Sequence, residues 1–168
     1  CQVLGNDVAV NFGGASGNLA SLAGENIVAL CDVDHDYAAK TIAKYPKARL
    51  WTDYREMLEK QKDIDAVIVA TPDHTHGVIG MAAIKAGKHV YIQKPLAHSP
   101  YENRQLAKIA TSKPKLVTQM GTQRMAKKWR RQGYAMLRDN LIGQVSAMHA
   151  WTDRPAGWWP QGKPRPEG

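Results

Sequence analysis

The sequence predicts an α/β fold: a doubly wound parallel sheet, followed by the start of a second α/β domain. Two observations carry this prediction. Short runs of apolar, often β-branched residues recur along the chain, and the segments between them carry signals for helices rather than for hairpin turns. Near-continuous apolar runs of this length are typical of strands that are buried on both faces of a parallel sheet.

Five apolar runs are predicted to form strands, and a sixth, weaker strand is expected before the third helical segment. Because helical segments separate the runs, we expect right-handed strand–helix–strand crossovers and a parallel arrangement. In chain order the strands are predicted at 7–10, 26–31, 48–51 (the weaker one), 65–70, 89–92 and 115–120.

Helix beginnings and ends are marked in the segments between these runs. Asp53 with Glu56, and Ser99 with Glu102, fit capping boxes, in which each side chain satisfies a free backbone N–H at the start of a helix. Pro46 is expected to stop the helix that begins near Asp36. Gly87 and Pro100 similarly suit a helix end and a first helical position.

Residues 1–143 are predicted to form the first domain, and residues 144–168 the beginning of a second domain. A helical stretch over 127–140 precedes the boundary, and a new strand is predicted at 145–151. The tail that follows is rich in proline and glycine and does not suit regular structure. Since the chain also begins with Cys1 rather than Met, we expect it to be a fragment of a longer protein.

The amino-acid composition limits the kinds of protein and of binding site that the chain can form. The chain has 168 residues, of which 43% are hydrophobic and 23% charged, so an ordered core is expected. The longest apolar runs fall well short of the ~18 residues that span a bilayer, so no membrane partner is predicted. Two cysteines do not suffice for a disulfide scaffold or a cysteine metal cluster, and no metal site is predicted.

The net charge of +8 is concentrated in the last third of the chain. Residues 101–168 carry 13 Lys and Arg against 4 Asp and Glu. Basic residues surround Trp129, a pattern that single-stranded nucleic acids can bind. A solvated helix face is the plainer interpretation, and no nucleic-acid recognition fold accompanies the basic residues, so we expect no nucleic-acid partner.

A glycine-rich turn directly after the first strand is the first candidate for cofactor binding. Glycines there let the backbone approach a pyrophosphate, and the next helix offers free N–H groups. In the preferred register of G-x-G-x-x-G, Asn11, Gly13 and Ser16 take the three positions; a register shifted by one uses Gly14. A turn of this composition also occurs for purely structural reasons.

An acidic residue at the end of the second strand strengthens the cofactor hypothesis. Asp32 lies 19 residues after Gly13, where an acid can accept both ribose hydroxyls of an adenosine and repel a 2′-phosphate. This favours NAD over NADP as the cofactor. The alternative is that Asp32 or Asp34 only caps the following helix.

A third loop of this kind follows the strand predicted at 65–70. It contains Thr71, Pro72, His74 and His76, and its polar side chains could face a nicotinamide or a substrate. Local capping of the next helix is the alternative role for the two histidines.

The sequence Gln93-Lys94-Pro95 resembles the Glu-Lys-Pro signature of the glucose–fructose oxidoreductase / inositol dehydrogenase (Gfo/Idh/MocA) family. Further segments in the same order resemble that family, and together they cover nearly the whole chain. These segments are 26–34, 52–58, 63–76, 86–99, 118–124 and 151–166.

The resemblance implies an oxidoreductase with a Rossmann-type first domain that binds NAD or, less favoured here, NADP. It transfers a hydride between the nicotinamide and a hydroxyl of a sugar, sugar derivative or cyclitol. Lys94 matches the signature lysine, which contacts substrate and nicotinamide ribose and takes part in proton transfer, so it is the predicted catalytic residue. The predicted cofactor-binding residues are Asn11, Gly13, Gly14, Ser16, Asp32, Thr71, Pro72, His76, Gln93, Lys94 and Pro95.

The chain departs from the family pattern at two positions. Gln93 stands where the family usually has Glu, and Asn11 replaces the first glycine of the fingerprint. The main catalytic Asp and His of the family belong to the second domain, beyond this chain, so we expect the chain alone to be inactive.

Two alternative functions stay open: an NAD-dependent glycosidase of the same family, and a non-catalytic NAD-binding regulator. For the full-length protein we expect a small carbohydrate or polyol substrate and a homo-oligomer, located in the cytoplasm or exported to the periplasm.

Overall fold

The computed structural model describes residues 7–11, 22, 24–122, 125 and 127–151. Six strands form one sheet: β1 (Asp7–Asn11), β2 (Asn26–Cys31), β3 (Arg49–Trp51), β4 (Ala66–Val69), β5 (His89–Gln93) and β6 (Thr118–Gly121). The described helices are α1 (His35–Ile42), α2 (Tyr54–Lys60), α3 (His76–Lys85), α4 (Pro100–Ser112) and α5 (Lys128–Arg138), and a 3₁₀ turn (Asp73–Thr75) precedes α3.

The sheet has the strand order β3-β2-β1-β4-β5-β6, and every pair is parallel. This confirms the predicted doubly wound parallel sheet. β1 pairs with β2 on one side and with β4 on the other, so the order reverses at β1. In sheets of this kind, ligands bind outside the carboxyl ends of the strands at that reversal.

The apolar runs predicted the strands well, and the largest shift is in β6. The run 26–31 matches β2 at both ends, and the weaker prediction at 48–51 became the edge strand β3. β6 begins three residues later than predicted, because Leu116 N–H bonds to the carbonyl of Lys113 and this turn takes the first residues of the run.

The core lies on both faces of the sheet. All four residues of β4 are buried, as a near-continuous apolar run predicts. Val67 and Val69 join the cluster that packs against the helices α2, α3 and α4, whereas Ala66 and Ile68 belong to the cluster on the opposite face. Burial on both faces fixes the ends of the strands, from which the candidate site is built.

One predicted capping box forms and the other does not. Ser99 Oγ accepts the Glu102 N–H at 3.2 Å, and Glu102 Oε2 accepts the Ser99 N–H at 3.0 Å, with Pro100 at the first helical position. At the start of α2, Asp53 does cap the helix through the N–H of Arg55. Glu56 instead pairs with the Lys60 ammonium at 2.7 Å, one turn further on, which is why the second box is absent.

Two helix ends were also predicted. Gly87 has φ 78° after α3, as a left-handed helix terminus requires. α1 ends at Ile42, earlier than the predicted stop at Pro46, because two turn bonds already close the chain there: Lys44 N–H to Thr41 and Tyr45 N–H to Ile42.

The contacts divide the chain into two compact units between residues 123 and 124. The second unit contains α5, followed by a turn in which Asn140 and Gly143 have positive φ. The strand predicted at 145–151 is absent, because a strand needs a pairing neighbour and no described strand lies beside this exposed segment. The predicted domain boundary after residue 143 stays a prediction.

Candidate functional site

The carboxyl ends of β1, β2, β4 and β5 meet at one edge of the sheet. Asn11 is in register with Cys31 on one side and with Val69 on the other, and Val69 is in register with Ile92. The residues that follow these positions therefore share the same edge. This places Asp32, Thr71 and the segment from Gln93 to Pro95 at the edge where the sequence predicted a cofactor.

Of the glycine-rich turn, the structure describes the first residue, which lies at the same edge. Asn11 is the last residue of β1. Gly13, Gly14 and Ser16 lie outside the described residues, so their roles in cofactor binding stay predictions.

Asp32 and Asp34 have different roles in the structure. Asp34 caps α1, since its Oδ1 accepts the Tyr37 N–H at 2.8 Å. Asp32 is half-buried and continues the sheet, with its N–H bonded to the carbonyl of Trp51 at 3.0 Å. Its Oδ1 accepts the Asp34 N–H at 3.0 Å, and no hydrogen bond to Oδ2 is found among the described residues. Oδ2 of Asp32 therefore has no hydrogen-bond partner in the part of the chain that the structure describes.

Residues beside Asp32 form a small exposed surface that was not predicted from the sequence. The side chain of Val33 is 84% exposed, although valine is among the residues most often buried. Nearby, Thr52 Oγ1 lies 3.3 Å from His35 Nε2. The available signal was an apolar residue between two acids, directly after a buried strand.

Cys31, by contrast, is part of the core. Its side chain is 2% exposed and packs in the larger apolar cluster. Burial raises the pKa of its thiol to about 12, and the carboxylates of Asp53 and Asp32 add to that effect. The thiol is therefore a small packed group rather than a nucleophile, as expected for a cysteine in an apolar strand.

The loop after β4 is held by its own hydroxyl and carbonyl groups. The Thr75 hydroxyl lies 2.7 Å from both the Thr71 hydroxyl and the carbonyl oxygen of Pro72. The Thr75 N–H also bonds to Pro72 O at 2.9 Å. These contacts fix the turn that leads from the sheet edge into α3.

His76 points into the protein, whereas His74 in the same segment is exposed. His76 is 1% exposed at the first position of α3. Its Nε2 lies 2.8 Å from the carbonyl oxygen of Thr71, and its Nδ1 lies 2.6 Å from that of Pro95. Both ring nitrogens thus contact backbone, so any effect of His76 on a ligand acts through the two loops.

The signature segment leaves β5 at the same edge. Gln93 is half-buried as the last strand residue, Lys94 is exposed, and the peptide bond between Lys94 and Pro95 is cis. Gln93 is in register with Gly121 on β6. A Cβ at position 121 would collide with Gln93 Oε1 and lie 2.7 Å from the Tyr91 hydroxyl, so a larger residue there would require the ends of these two side chains to shift. No sequence pattern predicts this close approach.

The described residues at this edge suit a dinucleotide. Asp32 offers an acceptor for ribose hydroxyls after β2, and the exposed Lys94 offers a cation after β5, with β1 and β4 between these two strands. In the part of the chain that the structure describes, no group of three or more His, Cys, Asp or Glu side chains gathers. Nor is any helix within that part long and apolar enough to cross a bilayer.

Comparison with known proteins gives a family match over the same region. The model of the oxidoreductase family with an NAD-binding Rossmann fold matches residues 11–121. An inositol 2-dehydrogenase of Salmonella paratyphi B is 28% identical over 134 residues, which are 77% of this chain and 38% of that protein.

Two crystal structures of Lactobacillus enzymes are similar in fold. A myo-inositol 2-dehydrogenase from Lactobacillus plantarum has a TM-score of 0.73 at 23% identity, covering 84% of this chain and 43% of that one. A myo-inositol dehydrogenase from Lactobacillus casei, in complex with NAD(H) and myo-inositol, has a TM-score of 0.71 at 26% identity, covering 83% and 43%. The chain thus spans about two fifths of the length of these proteins.

Proposed function

The chain belongs to the oxidoreductase family with an NAD-binding Rossmann fold, and on that premise we propose that it is the NAD-binding part of an inositol or sugar dehydrogenase. The observation that carries the proposal is Asp32, which directly follows β2 beside the reversal of strand order and has a carboxylate oxygen without a hydrogen bond among the described residues. NAD(H) and myo-inositol are bound together in the similar Lactobacillus casei enzyme.

Asp32 is proposed to select NAD over NADP. Its carboxylate can accept hydrogen bonds from the two ribose hydroxyls of the adenosine, and it would repel a 2′-phosphate at the same place. The exposed side chain of Val33 offers an apolar contact for the flat adenine ring. Neither residue needs to move far, because Asp32 is already held by its bond to the Asp34 N–H.

Lys94 is proposed to act at the other end of the cofactor. Its ammonium is exposed directly after β5, where it can contact the nicotinamide ribose and the substrate hydroxyl. When bound, NAD supplies the acceptor for the hydride. Lys94 would help to move the hydroxyl proton, together with residues of the second domain, whose beginning we place at residues 144–168.

The similar proteins favour a dehydrogenase over the two alternative functions, a glycosidase and a non-catalytic regulator. The similar proteins are named as inositol dehydrogenases, and the match includes the loops after β2, β4 and β5. No feature of the described residues favours glycosidase or purely regulatory function.

Calorimetric titration of the folded chain with NAD and with NADP tests the proposal. We expect NAD to bind more tightly. Asp32→Ala should weaken NAD binding about ten- to 150-fold, the loss of a charge-assisted hydrogen bond worth ~1.5–3 kcal/mol, and should narrow the difference between the cofactors.

Asp34→Ala is the matched control, because it removes a neighbouring carboxylate that caps α1. It should lower stability while leaving cofactor preference in place. Equal affinity of the wild-type chain for NAD and NADP would remove Asp32 from the proposed role.

A further inference from the structure

We propose that His76 is a positioning residue of the cofactor site: its ring joins the loop at Thr71 to the loop at Pro95 and holds the two at a fixed separation. The inference rests on the proposed function, because those two loops carry the residues assigned to the nicotinamide end. It differs from direct cofactor binding, because the ring contacts protein backbone on both sides.

The geometry of the ring supports a bridge. The two acceptors are main-chain carbonyls of different loops, 2.8 Å and 2.6 Å from the two ring nitrogens, and the side chain is 1% exposed. Carbonyl oxygens only accept, so each bond requires a hydrogen on the ring nitrogen that makes it. A neutral imidazole carries a hydrogen on one nitrogen only, so its tautomer decides which of the two contacts is the hydrogen bond, and the other nitrogen packs against the second carbonyl.

Local sequence explains why a side chain is needed here. Pro72 and Pro95 have no N–H, so these loops have fewer backbone donors with which to satisfy their own carbonyls. A buried carbonyl without a partner is costly, and the His76 ring places a nitrogen within hydrogen-bond distance of one carbonyl in each loop.

The bridged carbonyls are next to the proposed binding groups. The Thr71 carbonyl belongs to the peptide that enters Pro72, and the Pro95 carbonyl lies one residue beyond Lys94. Since β4 and β5 are adjacent in the sheet, a change in ring contacts would alter the separation of the loops without unpairing the strands. Lys94 would then lie at a different distance from the Thr71 loop.

Three substitutions of His76 test its contact with Pro95 and its contact with Thr71 separately. His76→Asn places an amide nitrogen near the position of Nδ1 and can keep the bond to Pro95. His76→Gln places one near the position of Nε2 and can keep the bond to Thr71. His76→Phe keeps a flat ring and donates to neither. His98→Phe is the matched control, since His98 is exposed, three residues beyond Pro95.

Two measurements read the outcome. Calorimetry should show that His76→Phe binds NAD about tenfold more weakly than wild type does. His76→Asn and His76→Gln should have intermediate affinities for NAD, and His98→Phe should have the wild-type affinity. Hydrogen exchange without NAD should be faster in peptides 70–76 and 93–98 of His76→Phe. The His76→Asn variant should retain protection from exchange only in peptide 93–98, and the His76→Gln variant only in peptide 70–76.

The exchange measurement keeps this inference separate from the proposed function. If the wild-type chain does not bind NAD, the proposed function fails, but the exchange pattern still decides whether the bridge exists. If His76→Phe does not fold, the Asn and Gln variants decide. A folded His76→Phe chain with NAD affinity within about twofold of wild type, or unchanged exchange in both peptides, would overturn the proposal.

Discussion

At the scale of single residues, Cys31 and Asp32 show how one strand end separates core from site. They are neighbours in sequence, yet Cys31 is 2% exposed within the apolar cluster, and Asp32 lies half-buried at the sheet edge. Successive side chains of a strand point to opposite faces, and the strand ends between the two residues. The carboxylate is thereby left at the sheet edge, where the proposed cofactor binds, while the thiol is enclosed.

The enclosed thiol makes a pH-dependent contribution to stability. The pKa of Cys31 rises from 9.0 to about 12 on folding, so the unfolded chain loses this proton at lower pH than the folded chain does. Stability from the protonated thiol is therefore complete below pH 9 and is lost as the pH rises from 9 toward 12. We expect the free energy of unfolding to fall by up to ~1.4 kcal/mol per pH unit in this range from Cys31 alone.

Urea unfolding of wild type and Cys31→Ala at several pH values measures this contribution. Alanine does not ionise, so the stability difference between the two proteins should shrink above pH 9. Burial also raises the pKa of Tyr91, but this acts equally in both proteins. Parallel pH curves would show that the thiol ionises alike in the folded and unfolded chains.

At the scale of elements, the start of α4 fixes the chain just beyond the signature loop. Glu102 Oε2 accepts the N–H groups of His98 and Ser99 and lies 3.3 Å from Ser99 Oγ. Free N–H groups at a helix start are otherwise left to water. The box therefore holds the segment that returns from Pro95 into the helix.

Removing the cap should destabilise the domain. Ser99→Ala loses the acceptor for the Glu102 N–H, and a loss of ~0.5–2 kcal/mol is expected. Ser112→Ala is the matched control at the other end of α4, where the exposed hydroxyl bonds only to the Ile109 carbonyl. Chemical denaturation that gives equal losses for both variants would contradict the importance of the box.

The contact of α3 with β5 depends on a glycine. A Cβ at position 80 would collide with Ile92 Cδ1, and it would lie 3.3 Å from Ile92 Cγ1 and 3.8 Å from Leu106 Cδ2. Both of these side chains are buried. A side chain at position 80 would therefore require Ile92 or α3 to shift within the packed core.

Gly80→Ala should destabilise the domain by about 1–3 kcal/mol through overpacking, despite the better helix propensity of alanine. Gly133→Ala makes the same change in α5, where nothing lies within 4 Å of the new Cβ. It should raise stability or leave it unchanged. Thermal unfolding decides, and stabilisation by Gly80→Ala would show that α3 can move away without cost.

At the scale of the whole molecule, the apolar runs and helix signals were sufficient to predict the sheet. The run 26–31 is bounded by polar residues on both sides, and Ser99 has an acid at the required spacing, so these elements were determined locally. The strand expected at 145–151 depends on a pairing partner, which a local pattern does not reveal. Glu56 could bond either to the backbone N–H of Asp53 or to the ammonium of Lys60, and the sequence did not show that it bonds to Lys60.

The sequence was sufficient to predict which strand ends form the site, but not which side chains contact one another there. Asp32 and Thr71 follow apolar runs directly, Lys94 follows one after Gln93, and parallel strands bring such positions to one edge. The inward orientation of His76 depends on where the Pro95 carbonyl lies in space. The close approach at Gly121 likewise depends on the register of β5 and β6. Both required the folded structure.

The central claim is that NAD binds at the carboxyl edge of the sheet, and mapping by NMR tests it most directly. Isotope-labelled chain is titrated with NAD while the backbone amide signals are followed. We expect saturable shifts at Asp32, Thr71 and Lys94, and little change at the amino ends of the same strands, represented by Asn26, Asp65 and His89. Shifts concentrated at those amino ends, or no saturable shifts in a folded chain, would contradict the account.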